Sequence, residues 1–486
     1  MFNSLPKNLT SALLLAGVLT GCSMAPTYVR PTAPVAGTFP AGEFATTQSE
    51  ADAVALGWRQ FFPDQRLQTL IAAALVNNRD LRTAALNIEA ASAQYDITAA
   101  DALPNVNGGF SRTRARSAAS QLIPGQAPVG TSYAVGLNMT AFELDFFGRV
   151  RSLKDAALAS YLSTEQARLS VQITLVSQVA QAYLAERSFA EQQEIAQQTL
   201  DSRLQDYKLA KMRFDVGASS ALDLRVSETL VQSARVSFAT LARQKGQASN
   251  ALTLLVGTPI TDLPAPQTLA SQQIVTDIPA GLPSDLLIRR PDIRAAEQQL
   301  RAANANIGAA RAAFFPRISL TAGIGNASSS LGDLFAAGSR TWSFIPQLTL
   351  PIFEGGRNRA NLTLSEVRKN IAVANYEKTI QTAFSEVADA LVARGALAEQ
   401  LDAQQAFLMA QQERVKLTDL RFKNGIASST DMLVAQRDLF SAQQALVQTR
   451  QLRLNNAIDL YRSLGGGLNE TTQAPIATPV QNKTVN

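Results

Sequence analysis

Four short stretches of the chain alternate apolar with small or polar residues at a period of two. In the first, Val106, Gly108 and Phe110 face one way and Asn105, Asn107 and Ser111 the other. The second sets Tyr133, Val135, Leu137, Met139 and Ala141 against Ser132, Ala134, Gly136, Asn138 and Thr140. The third sets Ile318, Leu320, Ala322 and Ile324 against Ser319, Thr321, Gly323 and Gly325, and the fourth sets Trp342, Phe344, Leu348 and Leu350 against Ser343, Gln347 and Thr349. This period predicts four β-strands, each about ten residues long.

Elsewhere the spacing changes to three and four, as in Leu169, Ile173, Val176, Val179, Ala180 and Tyr183 with Gln and Ser between them. That is helical spacing. No proline occurs between Pro128 and Pro259 or between Pro351 and Pro475, and both stretches are rich in strong helix formers. Each has one plausible turn, a glycine shortly after an aromatic residue: Phe214 to Gly217 and Phe422 to Gly425. Glycine accepts the left-handed conformation that ends a helix. Each stretch therefore reads as a helical hairpin, with first arms Arg149 to Arg213 and Arg357 to Arg421 of about 100 Å at 1.5 Å per residue. Helices of that length belong to coiled coils. Many stripe positions are alanine, so the helices can approach closely and curve around a cavity. The alternative, a closed four-helix bundle, calls for a core richer in leucine.

The order of elements repeats. Asp80, Leu81 and Arg82, leading to Leu103, Pro104, Asn105 and Val106, recur as Asp292, Ile293 and Arg294, leading to Phe315, Pro316, Arg317 and Ile318. Ala84, Ala90, Ala91 and Ala93 match Ala296, Ala302, Ala303 and Ala305. Gly148, Arg149 and Arg151 match Gly356, Arg357 and Arg359, and Arg213, Phe214, Gly217 and Asp223 match Arg421, Phe422, Gly425 and Asp431. Two halves with the same order imply a structural duplication. The boundaries expected are a signal peptide over 1–21, a lipidated extended segment over 22–78, repeats over 79–285 and 286–466, and a disordered tail over 467–486.

The N-terminus changes what the strands mean. Lys7, the uncharged run from Ser11 to Thr20, and then Leu19, Thr20, Gly21 and Cys22 form a secretory signal ending in a lipobox. Cys22 is the only cysteine, so no internal disulfide is available, and its expected fate is acylation on thiol and amine. This covalent lipid is the only prosthetic group expected. Ser23 follows where an inner-membrane lipoprotein usually carries aspartate. Apolar-out, polar-in strands of about ten residues suit an outer-membrane barrel, whereas a small soluble sheet would pack its apolar face on a core. Four strands cannot close alone, and an open edge in lipid leaves backbone groups unpaired. Two chains give eight strands with a filled bore; three give twelve with an open passage, which the small inward residues favour. The loops Arg112 to Gly130 and Asn326 to Arg340 would then be extracellular.

Composition narrows the function classes. The net charge of +5 is spread without a basic block, which excludes a nucleic-acid surface. No run of 18 apolar residues offers a membrane-crossing helix. With no histidine, one cysteine and no glycine-rich phosphate loop, the chain is not expected to be an enzyme or to bind a metal.

The chain resembles the TolC family of outer-membrane factors, and in particular its OprM-like lipoprotein branch serving RND-type efflux pumps. The residues that carry this are the lipobox; Gly57, Trp58, Phe61 and Phe62; Phe142 to Asp145 with Phe147, Gly148 and Arg149; Leu282 to Leu286 with Arg289 to Asp292; and the run Ala309 to Pro316. The resemblance implies an α+β membrane protein, a homotrimer whose twelve-stranded barrel is continued by a long helical tunnel through the periplasm. Implied partners are outer-membrane lipid, a periplasmic adaptor and an inner-membrane proton-driven RND transporter. Implied cargo is drugs, dyes, detergents, solvents or metal ions, with multidrug resistance as the consequence. A type I secretion duct and a non-conducting lipid-anchored stalk remain the alternatives.

The resemblance also implies a closure just past the glycine of the second hairpin. The sixth position after Gly425 is Asp431, matching an aspartate that forms a cation-sensitive ring in the TolC type. The OprM type has leucine, aspartate and arginine at the fifth, ninth and twelfth positions; here these are Thr430, Val434 and Arg437. Only the arginine is kept. Asp431, with Thr430 and Arg437, is thus the candidate gate, and three carboxylates on one axis would repel, bind cations and have raised pKa values. The plain alternative for Asp431 is a helix N-cap, the role expected of Asp223. Arg213, Gly217 and Ser219 with Arg421, Gly425 and Ser428 are the expected adaptor-contact tips, the arginines also being placed to bond hairpin carbonyls.

Overall fold

The computed structural model describes residues 23–39, 56–118, 120, 122–123, 127–259, 261–275 and 283–471. The signal segment, Cys22 and the tail beyond 471 lie outside them. In chain order the elements are α1 (Trp58–Phe61), α2 (Gln65–Asn77), α3 (Arg79–Ala100), β1 (Val106–Arg116), β2 (Val129–Leu144), α4 (Arg149–Asp215), α5 (Ala221–Val256), α6 (Pro283–Arg289), α7 (Pro291–Ala312), β3 (Arg317–Ser328), β4 (Arg340–Thr349), α8 (Arg357–Lys423) and α9 (Ser429–Ser463). The duplication is plain: α3-β1-β2-α4-α5 recurs as α7-β3-β4-α8-α9. Helices α3 and α7 each have 22 residues, and α4 and α8 each have 67.

The chain divides into two compact units that cut across this duplication, each taking corresponding pieces of both halves. The first comprises 1–32, 87–164 and 295–376; the second comprises 33–86, 165–294 and 377–486. In the first, the strands form one antiparallel sheet in the order β1-β2-β3-β4. Alanines carry the helix packing there: Ala156 and Ala159 of α4 cluster with Ala302 and Ala305 of α7. Side chains that small let two backbones come close, and Ser163 Oγ donates to the carbonyl of Ala295 at 3.0 Å. The first described residues are fastened to α7. Arg30 makes a two-point ion pair with Glu297, Tyr28 and Arg301 donate to the same carboxylate, and Asn304 Nδ2 donates to the Pro26 carbonyl at 2.7 Å. Burial opposes ionisation of Glu297, but the hydrogen bonds from Arg30 and Arg301 outweigh it and hold the carboxyl below its ordinary value.

The second unit buries the aromatic residues singled out near the N-terminus. Phe61 stacks on Tyr461 with centroids 4.0 Å apart, and Phe62 meets Phe61 edge-on at 4.6 Å. Ile173, Val176, Val179, Ala180 and Tyr183, predicted as a stripe, are all buried. The segment 22–78, expected to be extended, instead contains α1 and α2. Asp64 caps α2 by accepting from the amides of Arg66 and Leu67, and Leu67, Leu70, Ile71 and Ala74 supply its buried face. That N-cap and spacing outweigh the loop-like composition around them.

Candidate functional site

The sheet is the first functional element. Its register places apolar residues of all four strands in rows on one face: Val106, Met139, Ala322 and Phe344, then Gly108, Leu137, Ile324 and Trp342. In the isolated chain this face is bare, with Trp342 78 % and Phe344 60 % exposed. The opposite face carries Asn107, Asn138, Gly323 and Ser343 in one row and Gly109, Gly136, Gly325 and Thr341 in the next. Strands β1 and β4 have no neighbour on their outer sides among the described residues.

The alternation in β2 is broken between Met139 and Phe142. Between Met139 and Phe142 the pairing with β3 shifts by one residue, and Ala141 takes φ +50° while its amide donates to Thr321 Oγ1 at 3.1 Å. Ala141, expected to continue the apolar row, therefore leaves it. A bulge flips the phase of everything after it. Phe142 and Leu144 join the apolar face beside Leu320 and Ile318, and Glu143 turns to the other face. There its side chain is 9 % exposed and pairs with Arg149 at 2.8 Å and Arg317 at 2.6 Å, tying the end of β2 to the starts of α4 and β3. Without the bulge a carboxylate would lie on the apolar face.

The hairpin tips are the second element. Gly217 and Gly425 both adopt φ +73°, as predicted, and a side chain there would be strained. The amide of Gly217 donates to the Phe214 carbonyl and that of Ala218 to the Arg213 carbonyl; Gly425 and Ile426 repeat this with Phe422 and Arg421. These are Schellman closures. The two arginines thus serve the turns through their own carbonyls, with no guanidinium bond to another carbonyl among the described residues, and both side chains are exposed. Ser219 Oγ is buried without a hydrogen-bond partner among the described residues.

Neither aspartate is the N-cap. Ser220 caps α5 and Ser428 caps α9, each completing a capping box with the aspartate three residues on. Ser428 donates its amide and hydroxyl to Asp431 Oδ2 at 2.9 and 2.8 Å, and the Asp431 amide donates back at 3.1 Å. These bonds, joined by the field of Arg421, hold the Asp431 carboxyl of the single chain below its ordinary value. A lowered pKa means the capping contribution is complete above the ordinary value near 3.8 and is lost only as pH falls through the lowered one. Acidification from about pH 7 to pH 5 is therefore expected to leave amide-exchange protection at Ser428 and Asp431 unchanged relative to the helix interior. Thr430 and Asp431 are exposed side by side at the start of α9. Arg437, the third expected gate residue, pairs with its neighbour Asp438 at 3.0 Å, and Arg414 holds that same carboxylate at 2.9 Å.

No helix among the described residues is long and apolar enough to cross a membrane. An apolar-faced sheet with open edges, joined in sequence to long polar helical hairpins, defines the class of channel-forming outer-membrane proteins. The chain belongs to the outer membrane efflux protein family, whose model matches residues 70–258 and 282–466. It is 48 % identical over 481 residues to the toluene efflux pump outer membrane protein TtgC of Pseudomonas putida, covering 97 % of this chain and 99 % of that protein. It is 46 % identical to outer membrane protein OprJ of Pseudomonas aeruginosa over 95 % of this chain and 96 % of OprJ. The open state of the Neisseria gonorrhoeae MtrE outer membrane channel superposes with a TM-score of 0.85 at 42 % identity, covering 93 % of this chain and all of that one. The chain is thus an efflux component of the outer membrane.

Sequence reasoning missed the bulge and the inward Glu143 pairings. The one available signal was in β2 itself, where the phase that keeps Tyr133 to Met139 on the apolar side puts Phe142 and Leu144 on the other and brings Glu143 to the apolar face.

Proposed function

We propose that three copies close their sheets into one twelve-stranded barrel and act as the passive exit duct of a tripartite efflux pump. The observation that carries this is the four-stranded sheet with a bare apolar face and two unpaired edges, because open edges in lipid cost several kcal/mol per unpaired group. Small inward residues leave room for a passage. The cargo proposed is apolar organic compounds, solvents and antibiotics among them, in line with the relatives' names. Cys22 carries the lipid that adds a second hold on the membrane. The tips at Arg213, Gly217, Ser219, Arg421, Gly425 and Ser428 meet a periplasmic adaptor, through which an RND transporter supplies the energy. Asp431, flanked by Thr430 and with Arg437 two turns on, narrows the passage. The duct itself performs no chemistry.

Single-channel conductance of the purified protein in a planar bilayer tests this, comparing wild type with Asp431→Ala and Asp223→Ala. The second variant breaks an equivalent capping box, so it controls for the loss of the cap. Wild type is expected to pass a small, cation-selective current that divalent ions block, and only Asp431→Ala should enlarge it or relieve the block. No current at any voltage, together with no cross-linked trimer, overturns the duct in favour of a non-conducting stalk. Equal behaviour of the two variants removes Asp431 from the gate.

A further inference from the structure

The outer face of the sheet changes character towards the loops. Strand β1 pairs with β2 without a register break from Val106 to Arg116, so parity is kept throughout. Arg112, Arg114 and Arg116 therefore continue the face of Val106, Gly108 and Phe110, about 7 Å apart along the strand. Arg340 stands on the same face of β4, one step beyond Trp342, in the row of Phe110, Val135 and Asn326. All four arginines are exposed, and Arg112 lies over the Tyr133 ring at 5.7 Å. None of them has an ion-pair partner among the described residues.

Counter-charge is missing from the sequence as well. No Asp or Glu occurs between Asp101 and Glu143, and the second hairpin holds only Asp333 between Arg317 and Glu354. In a closed ring of identical chains the open edge of β1 faces β4 of the next copy, which brings Arg340 and not a carboxylate. A solvated surface would have no reason to put its arginines at every second position on the face that is apolar below them. Guanidinium groups pair with phosphate in two-point geometry, and basic side chains beside a bilayer are drawn to anionic headgroups.

We propose that Arg112, Arg114, Arg116 and Arg340 form an outward-facing site for the phosphate groups of the anionic glycolipid in the outer leaflet of the outer membrane, seating the barrel at a fixed depth. This rests on the barrel reading above, with the helix-bearing ends of the strands towards the periplasm and the loops outside.

The test uses full-length protein in nanodiscs, with purified diphosphoryl lipid A and its dephosphorylated form as probes and inorganic phosphate as competitor. Wild type is expected to bind the diphosphoryl form at least about tenfold more tightly than the dephosphorylated one, and R112Q/R114Q/R116Q to lose that preference. The charge-keeping triple lysine variant should recover part of it. Equal binding of both lipids by wild type, an unchanged preference in the glutamine variant, or full displacement by millimolar phosphate overturns the proposal. A Ser329→Cys protein labelled on intact cells by a membrane-impermeant maleimide separates the two readings. No labelling defeats the barrel orientation, whereas labelling with no lipid preference defeats only the lipid site.

Discussion

Replacing Gly325 by valine is expected to abolish the barrel while leaving the helical unit folded. Gly136 of β2 and Gly325 of β3 pair across the seam that joins the two hairpins. A Cβ on Gly325 would collide with the Val135 carbonyl oxygen and come within 2.8 Å of the Gly136 Cα; a Cβ on Gly136 would lie 2.5 Å from the Ile324 carbonyl oxygen. These obstacles are backbone atoms, so no rotamer change relieves them. Overpacking in a soluble core costs about 1–3 kcal/mol. Here the strands must part, and each backbone group freed in lipid adds several kcal/mol more. The expected result is loss of the heat-modifiable oligomer on gels and of all conductance, with helical circular dichroism retained. Gly109→Ala is the control, since a Cβ there meets nothing nearer than Asn138 Nδ2 at 4.0 Å. A conducting Gly325→Val oligomer would show that β2 and β3 need no such approach.

The second large effect belongs to Asp64. This carboxylate is 3 % exposed, caps α2 with one oxygen and accepts from Tyr183 Oη and Gln272 Nε2 with the other, both at 2.7 Å. Burial together with the Asp64 hydrogen bond raises the pKa of Tyr183, which stays a neutral donor at any physiological pH. Asp64→Ala removes a cap worth about 1 kcal/mol and strands a buried hydroxyl at about 1–3 kcal/mol, so a loss of about 3 kcal/mol is expected in the unfolding of this unit. Adding Tyr183→Phe should recover part of that loss, because the orphaned hydroxyl goes with it. If the double variant is as unstable as Asp64→Ala alone, the cap carries the whole effect.

These two sites were unequally legible. The glycines stood in the predicted strands, but their close approach depends on β2 meeting β3, which lie far apart in the chain. Asp64 gave only a local signal, since its partners are 119 and 208 residues away. What could be read well was what local physics decides. Proline-free stretches gave the long helices, placing the first arm ends at Arg213 and Arg421 where the structure has Asp215 and Lys423. The turns followed from Gly217 and Gly425. The capping boxes are also present in the sequence as Ser220 with Asp223 and Ser428 with Asp431, the serines capping and the aspartates closing the box three residues on. The phase change at Ala141 needed the partner strand, since Thr140 and Ala141 fit either face.

The closure of the tips has a mechanical consequence. The bonds that close each turn are local in the chain, running from Arg213 to Ala218 and from Arg421 to Ile426 and Ala427, with a further clasp of three residues at each capping serine. Such a clasp stores no information about how far its neighbours stand from it. Between the two tips runs a long hydrogen bond from Ser429 Oγ to Asp223 Oδ1 at 3.5 Å, which yields easily. If the passage widens at that end, each tip travels as a rigid bead at the end of a lever, and the work of opening is spent in side-chain contacts between the arms, such as Arg414 with Asp438.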